Sequence, residues 1–219
     1  MIPAVELTPE FCKCGIAPEK LLPFGIPVSS RFTSEDTPAN AKCRLGLADD
    51  ISYLLISGGS MGAGKLRKIV RWLYQASDEK QHLIVICGSN EKLHRKLCRE
   101  YSDNPRVRIV QKTDKMADYI KGCAAFFSKP GGLSSTEAAV LGTFLVHISP
   151  IPGCETRNVN FFSRQGMSFD AGKNKELLLS ALHRSADVKE VQKMQTIQRQ
   201  FINRFAAQDI CDFIENHVS

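Results

Sequence analysis

Apolar residues recur along this chain in two alternating patterns. Short continuous runs at Ile51–Ser57 (ISYLLIS), Leu83–Cys87 (LIVIC), Val107–Val110, Ala124–Ser128 (AAFFS) and Phe144–Ile148 have the length of strands buried on both faces. Between them Lys65–Gln75, Asn90–Tyr101, Asp114–Lys121 and Ser134–Leu141 carry helical spacing, the last two ended by Gly122 and Gly142. Strands alternating with helices predict a parallel sheet covered on both faces. Right-handed crossovers make it a doubly wound, Rossmann-like α/β domain. After Pro152 the pattern turns helical, over Asn174–Ser185 and Val188–Val218.

Ahead of the first strand the texture differs. Pro3, Pro9, Pro18, Pro23, Pro27 and Pro38 forbid long helices. Residues 1–40 therefore read as an arm, with a short helix around Pro9–Gly15 and an edge strand over Leu21–Val28; residues 41–219 form the domain.

Composition narrows the classes. The 219 residues carry a formal charge of +6, spread along the chain rather than gathered in a block. That excess suits an anionic ligand, an anionic membrane or a nucleic acid equally well, and a basic solvated surface explains it more simply. Unclustered basic residues and the lack of an RNA-stacking aromatic motif argue against nucleic acid. The eight cysteines include no CxxC, which argues against a disulfide framework or a zinc site and for a reducing cytoplasm. Cys87 and Cys123 read as core thiols. No leader-like segment opens the chain, and no stretch approaches the roughly 20 apolar residues of a membrane span. His147 reads as a packed strand residue, and His82, His94, His183 and His217 as solvated residues of helix faces or termini. No Ser–His–Asp or Cys–His spacing stands out, so no catalytic residue is assigned.

In an open parallel sheet, ligands sit beyond the carboxyl ends of the strands. Three segments fall there. Gly58-Gly59-Ser60-Met61-Gly62-Ala63-Gly64 joins a strand to a helix, and its small residues let N–H groups approach a phosphate. It is neither GxGxxG nor a Walker loop, and a tight turn explains it equally well. Ser128-Lys129-Pro130-Gly131-Gly132-Leu133-Ser134-Ser135-Thr136-Glu137 is a second such turn. Ser134 or Ser135 could cap its helix, with Glu137 completing a capping box. Alternatively its N–H groups and Ser134 take phosphate while the Glu137 carboxylate accepts two ribose hydroxyls. Two glycine turns on one sheet edge favour a nucleotide site. In the third, Pro150-Ile151-Pro152-Gly153-Cys154-Glu155-Thr156-Arg157-Asn158, Glu155 and Asn158 share a helix face suited to hydroxyls, though Glu155 also suits a first helical turn on its own account.

Together with Gly25-Ile26-Pro27-Val28, these segments in this order resemble the C-terminal domain of a glycosyltransferase family, from about Pro18 to the chain end. That family includes monogalactosyldiacylglycerol synthases, bacterial processive diacylglycerol glucosyltransferases and the peptidoglycan lipid-intermediate N-acetylglucosaminyltransferase. The resemblance implies the GT-B architecture, in which this domain binds a UDP-sugar. An N-terminal domain shapes the acceptor site and supplies the base. It implies inverting transfer with no metal and no cofactor other than the UDP-sugar donor. Gly58, Gly59, Ser60, Met61 and Gly62 would lie near the donor phosphates, with Lys129, Gly131, Gly132, Leu133 and Ser134. Glu137 would hold the ribose, the Lys112–Met116 loop with Thr113 would read uracil, and Glu155 and Asn158 would meet the sugar. Cys154 departs from the Gln common in the family.

Three readings follow from the expected lack of an N-terminal domain. The chain is an inert part of a lipid glycosyltransferase, or a donor-binding subunit with a separate acceptor-binding partner, or a UDP-sugar-binding module without transfer. The resemblance also implies a cytoplasmic site with peripheral membrane contact, through a surface that would lie largely on the N-terminal domain.

Overall fold

A computed structural model describes residues 1–62, 64–153 and 155–217. The arm holds α1 (Thr8–Lys13) and α2 (Ser30–Thr33), and α3 (Pro38–Leu45) leads into the sheet. Then follow β1 (Ser52–Ser57), α4 (Leu66–Ala76), β2 (Gln81–Ile86), α5 (Glu91–Glu100), β3 (Val107–Val110), α6 (Met116–Gly122) and β4 (Ala125–Ser128). The second half comprises α7 (Gly132–Val140), β5 (Phe144–Ile148), α8 (Thr156–Arg164), β6 (Phe169–Gly172), α9 (Lys175–Ser185), α10 (Val188–Phe201) and α11 (Ala206–His217).

The six strands are parallel in the order β3-β2-β1-β4-β5-β6. This is the doubly wound topology expected from the alternating pattern. The continuous apolar runs are explained by burial on both faces: Leu54, Leu55, Ile56, Leu83, Ile84, Val85, Phe126 and Phe127 are fully inaccessible. Helices α4 and α5 pack on β1, β2 and β3, and α9 packs on α4. Helix α6 returns the chain across β1, packing on α3, and α7 covers β4 and β5. No helix among the described residues is long and apolar enough to cross a membrane.

Several expectations are corrected. Leu21–Val28 joins no strand: Pro23 and Pro27 remove ladder donors and Gly25 takes φ +100. The segment instead exchanges backbone bonds with Ile2, at Ile2 N to Leu22 O (2.8 Å) and Gly25 N to Ile2 O (3.3 Å). A boundary after residue 40 would fall inside α3. The helix expected over Val188–Val218 is two, because the backbone is extended at Ile202 and Asn203 locks the break. The Asn203 amide donates to Phe24 O (2.9 Å) and Asp209 Oδ2 (2.6 Å), turning α11 across the arm, where Phe213 meets Phe24. Strand β6 is an addition; its FDAG sequence is too short and mixed to show a period. His82 lies on β2, edge-on to Tyr53, not on a helix.

Fully buried Gln198 fastens α10 to the sheet layer. Its amide donates to Thr143 O (3.0 Å) and Met167 O (2.9 Å). Gln198→Ala would orphan two buried carbonyls, at a cost of roughly 2–4 kcal/mol. Urea denaturation should show a lowered midpoint with an unchanged slope; an unshifted midpoint would remove Gln198 from this role.

Candidate functional site

The strand order reverses between β1 and β4, whose ends lie side by side at the Ser57–Ser128 pair. Chains leaving these two strands diverge, so a crevice opens between them. The two glycine turns of the sequence leave from these positions, at Gly58 and Lys129.

The β1 turn is held by backbone bonds and by the side chain of Asn90. Ser60 O accepts from Ser89 N (2.7 Å), and the Asn90 side chain donates to Gly62 O (3.0 Å) while capping α5 through Leu93 N. A Cβ on Gly62 would stand 2.0 Å from Cys87 O, and one on Gly88 would stand 2.2 Å from Ser60 O. Both glycines also have left-handed backbones, φ +55 and +59. Asn90 is thus a positioning residue, although its place in the sequence marks only a helix start.

The β4 turn starts α7 earlier than expected. The helix begins at Gly132 and its N-cap, Gly131, offers no side chain, so neither serine caps it and no capping box forms. Ser134 sits within the first turn. Ser135 is buried, with its hydroxyl 2.9 Å from His147 Nε2. The leading N–H groups of α7 therefore keep their donors for something outside the helix. His147 is packed as expected, with Ser168 Oγ 3.1 Å from Nδ1 and burial holding it neutral, at a pKa of about 3.

Glu137 lies one and a half turns into α7. Burial raises its carboxyl pKa from 4.5 to about 7, and among the described residues no hydrogen bond or cation offsets that cost. By contrast, Lys129 and Glu155 satisfy each other. The buried Lys129 ammonium and the largely buried Glu155 carboxylate pair at 3.0 Å, and the second Glu155 oxygen accepts from Ile151 N (2.7 Å). Glu155 is the residue preceding α8 rather than part of its face, while Asn158, inside α8, donates to Pro130 O (2.8 Å). These contacts clasp the β5 loop onto the β4 turn. Ser149, between β5 and this loop, has a left-handed backbone (φ 46) and a buried hydroxyl with no partner among the described residues; nothing in the sequence signals it. Cys154, with the expected departure there, and Ala63 lie outside the described residues.

The Lys112–Met116 segment leaves edge strand β3 and runs back toward β1 as α6 begins, with Thr113 Oγ1 accepting from Lys115 N (3.0 Å). A cleft of about 450 Å³ extends from Gly132 and Asn158 past Phe161 to Phe11 and Ile26 of the arm. Three large apolar side chains, Met61 (67% exposed), Leu133 (53%) and Ile151 (43%), project from the three loops. Among the described residues no group of three or more His, Cys, Asp or Glu could hold a metal.

The sequence profile of the glycosyltransferase family 28 C-terminal domain matches residues 53–208. The chain belongs to this family. Family 28 membership agrees with relatives of known name: a processive diacylglycerol beta-glucosyltransferase of Staphylococcus aureus is 26% identical over 209 residues, covering 94% of this chain and 53% of that protein. The chain spans about half the length of the curated relatives it matches. Acinetobacter baumannii MurG superposes with a TM-score of 0.67 at 20% identity, over 88% of this chain and 56% of that one. The UDP-GlcNAc 2-epimerase of Neisseria meningitidis bound to UDP-GlcNAc gives 0.74 at 11% identity, over 99% and 61%. These structural likenesses establish the fold, a six-stranded Rossmann-like half of the GT-B kind, and the family 28 match makes it that of a glycosyltransferase.

The raised Glu137 pKa fixes the sign of a pH effect. Between 4.5 and about 7 the folded chain keeps a proton that the unfolded chain releases, so stability falls as pH rises through that window. Glu137→Gln should therefore melt higher than the parent above pH 7. The gain should shrink on going down to pH 4.5; a gain that does not change with pH would mean that the carboxyl is solvated.

Proposed function

We propose that this family 28 domain binds the UDP end of a UDP-hexose and acts as the donor half of an inverting transfer to a lipid-type acceptor such as diacylglycerol. The observation that carries the reading is Glu137. A half-buried carboxylate without a partner, beside an uncapped helix start at the sheet's switch point, suits a ribose diol at one end and a diphosphate at the other. The N–H groups of Gly132, Leu133 and Ser134 face the phosphates, with Gly58, Gly59, Ser60, Met61 and Gly62 across the crevice. The Lys112–Met116 backbone reads uracil.

Lys129 and Glu155 gain a shared role from their pairing. A bound diphosphate offers Lys129 a second anion, which frees a Glu155 oxygen for sugar hydroxyls beside Asn158. Fixed dipoles and one cation at the departing diphosphate need no metal, because they are already oriented when charge develops. That some relatives' names specify a diacylglycerol acceptor, and that a neighbour of this fold is bound to UDP-GlcNAc, support the substrate classes.

Exposed Met61, Leu133 and Ile151 favour an acceptor-binding body over the crevice, either a second domain with the arm ahead of α3 as its linker or a separate subunit. Without that body the chain binds donor but does not transfer it.

Calorimetric titration should show UDP binding well above ADP and GDP. Glu137→Ala should weaken it about tenfold or more, as expected for loss of charged hydrogen bonds. Equal affinity in the variant would end the ribose assignment. UDP-glucose affinity should fall as pH is lowered through 7, where Glu137 takes up a proton, and EDTA should change nothing. Loss of binding in EDTA would require a metal.

A further inference from the structure

The charge excess, spread along the sequence, is gathered by the fold. Lys65, Arg67, Lys68 and Arg71 at α4 and Lys92, Arg95, Lys96 and Arg99 on α5 are all exposed. Against these eight cations the same elements carry two acids, Glu91 and Glu100. The excess of six equals the +6 of the whole chain, so the remaining residues balance. In sequence the intervening Asp78 and Glu79 dilute the pattern. In the fold they precede β2 and so sit at the opposite edge of the sheet.

The two helices form one surface. Glu100 of α5 accepts from both Arg67 and Arg71 of α4. A groove of about 440 Å³ crosses between them past Trp72 and Leu93. Among the described residues Lys68, Lys92, Arg95, Lys96 and Arg99 enter no ion pair. Trp72, the single tryptophan of the chain, is half-buried under Lys68, whose Nζ lies 4.6 Å from the ring centre.

We infer that the α4–α5 face docks on an anionic bilayer surface. Dispersed cations on long apolar stems, around an amphipathic Trp and a Leu, match a sheet of anionic headgroups in charge and polarity. A nucleic acid would need a free stacking face, and the ring of Trp72 is covered by Lys68. Helix α4 starts where the glycine turn ends, at Gly64, so docking holds the mouth of the crevice beside the bilayer. The docking needs no nucleotide and stands apart from the donor reading.

The test is flotation of the full chain with phosphatidylcholine vesicles, with or without about one third phosphatidylglycerol, at about 0.15 M salt. Binding is expected to the anionic vesicles alone and to weaken as salt rises. Lys92→Glu/Arg95→Glu/Lys96→Glu should reduce it at least tenfold. Lys175→Glu/Lys189→Glu/Lys193→Glu, the same charge change elsewhere, should leave most of it. Circular dichroism and melting of both variants establish that each is folded; should the first not be, Lys92→Gln/Lys96→Gln replaces it. No binding to anionic vesicles, equal loss in both variants, or binding indifferent to lipid charge would overturn the inference. Binding of a DNA or RNA oligonucleotide through this face, with none to vesicles, would overturn it in favour of nucleic acid.

Discussion

The structure depends on one constraint: every strand of the sheet is parallel to its neighbours and covered on both faces. Burial on two sides requires each crossover to carry a helix, and the order β3-β2-β1-β4-β5-β6 sends successive helices outward from a central pair. Because the strands are parallel, every turn that follows a strand emerges at one edge. The β1 and β4 turns are therefore neighbours in space although some 70 residues separate them in sequence. Chemistry at the crevice inherits its geometry from that packing rather than from local contacts of its own.

Within the crevice two carboxylates are treated in opposite ways. Glu155 has a buried cation and a backbone donor, and holds the β5 loop against the β4 turn. Glu137, in the same layer, has neither, and its burial works against its charge. A buried ion pair is a poor source of net stability but a good register for two loops. An unpartnered acid is a local cost, which under the proposed function a bound donor offsets. The pair keeps the loops in place, and the lone acid is the group to which the proposed function gives the ribose.

Much of this was legible beforehand. The strands at residues 107–110 and 144–148 appear with the expected bounds, and the helices differ by a residue or two, because fully buried strands and amphipathic helices leave distinct periods. The two glycine turns were also legible, since small residues after a strand mark close backbone approach. What escaped depends on contacts between distant segments. The end of α10 is set by Asn203 bonding to Phe24, and the start of α7 by two glycines that do without a serine cap. The pairing of Lys129 with Glu155 crosses 26 positions, and the basic face forms only when α4 lies beside α5. No window of adjacent residues contains these facts.

The backbone-to-backbone fit of the β1 turn onto the Cys87–Asn90 turn separates what must be kept from what can vary. The Ser60 carbonyl and the Ser89 amide make the joint with the Asn90 side chain, and Gly62 and Gly88 give it room, so the joint reads no side chain at Ser60, Met61 or Ser89, all of them exposed. Those three positions form an interchangeable surface on a rigid mount. Descendants of this chain could trade their polarity or bulk, and with it what the crevice admits, without renegotiating the fold beneath. The glycines, with no margin of their own, would change only together or not at all.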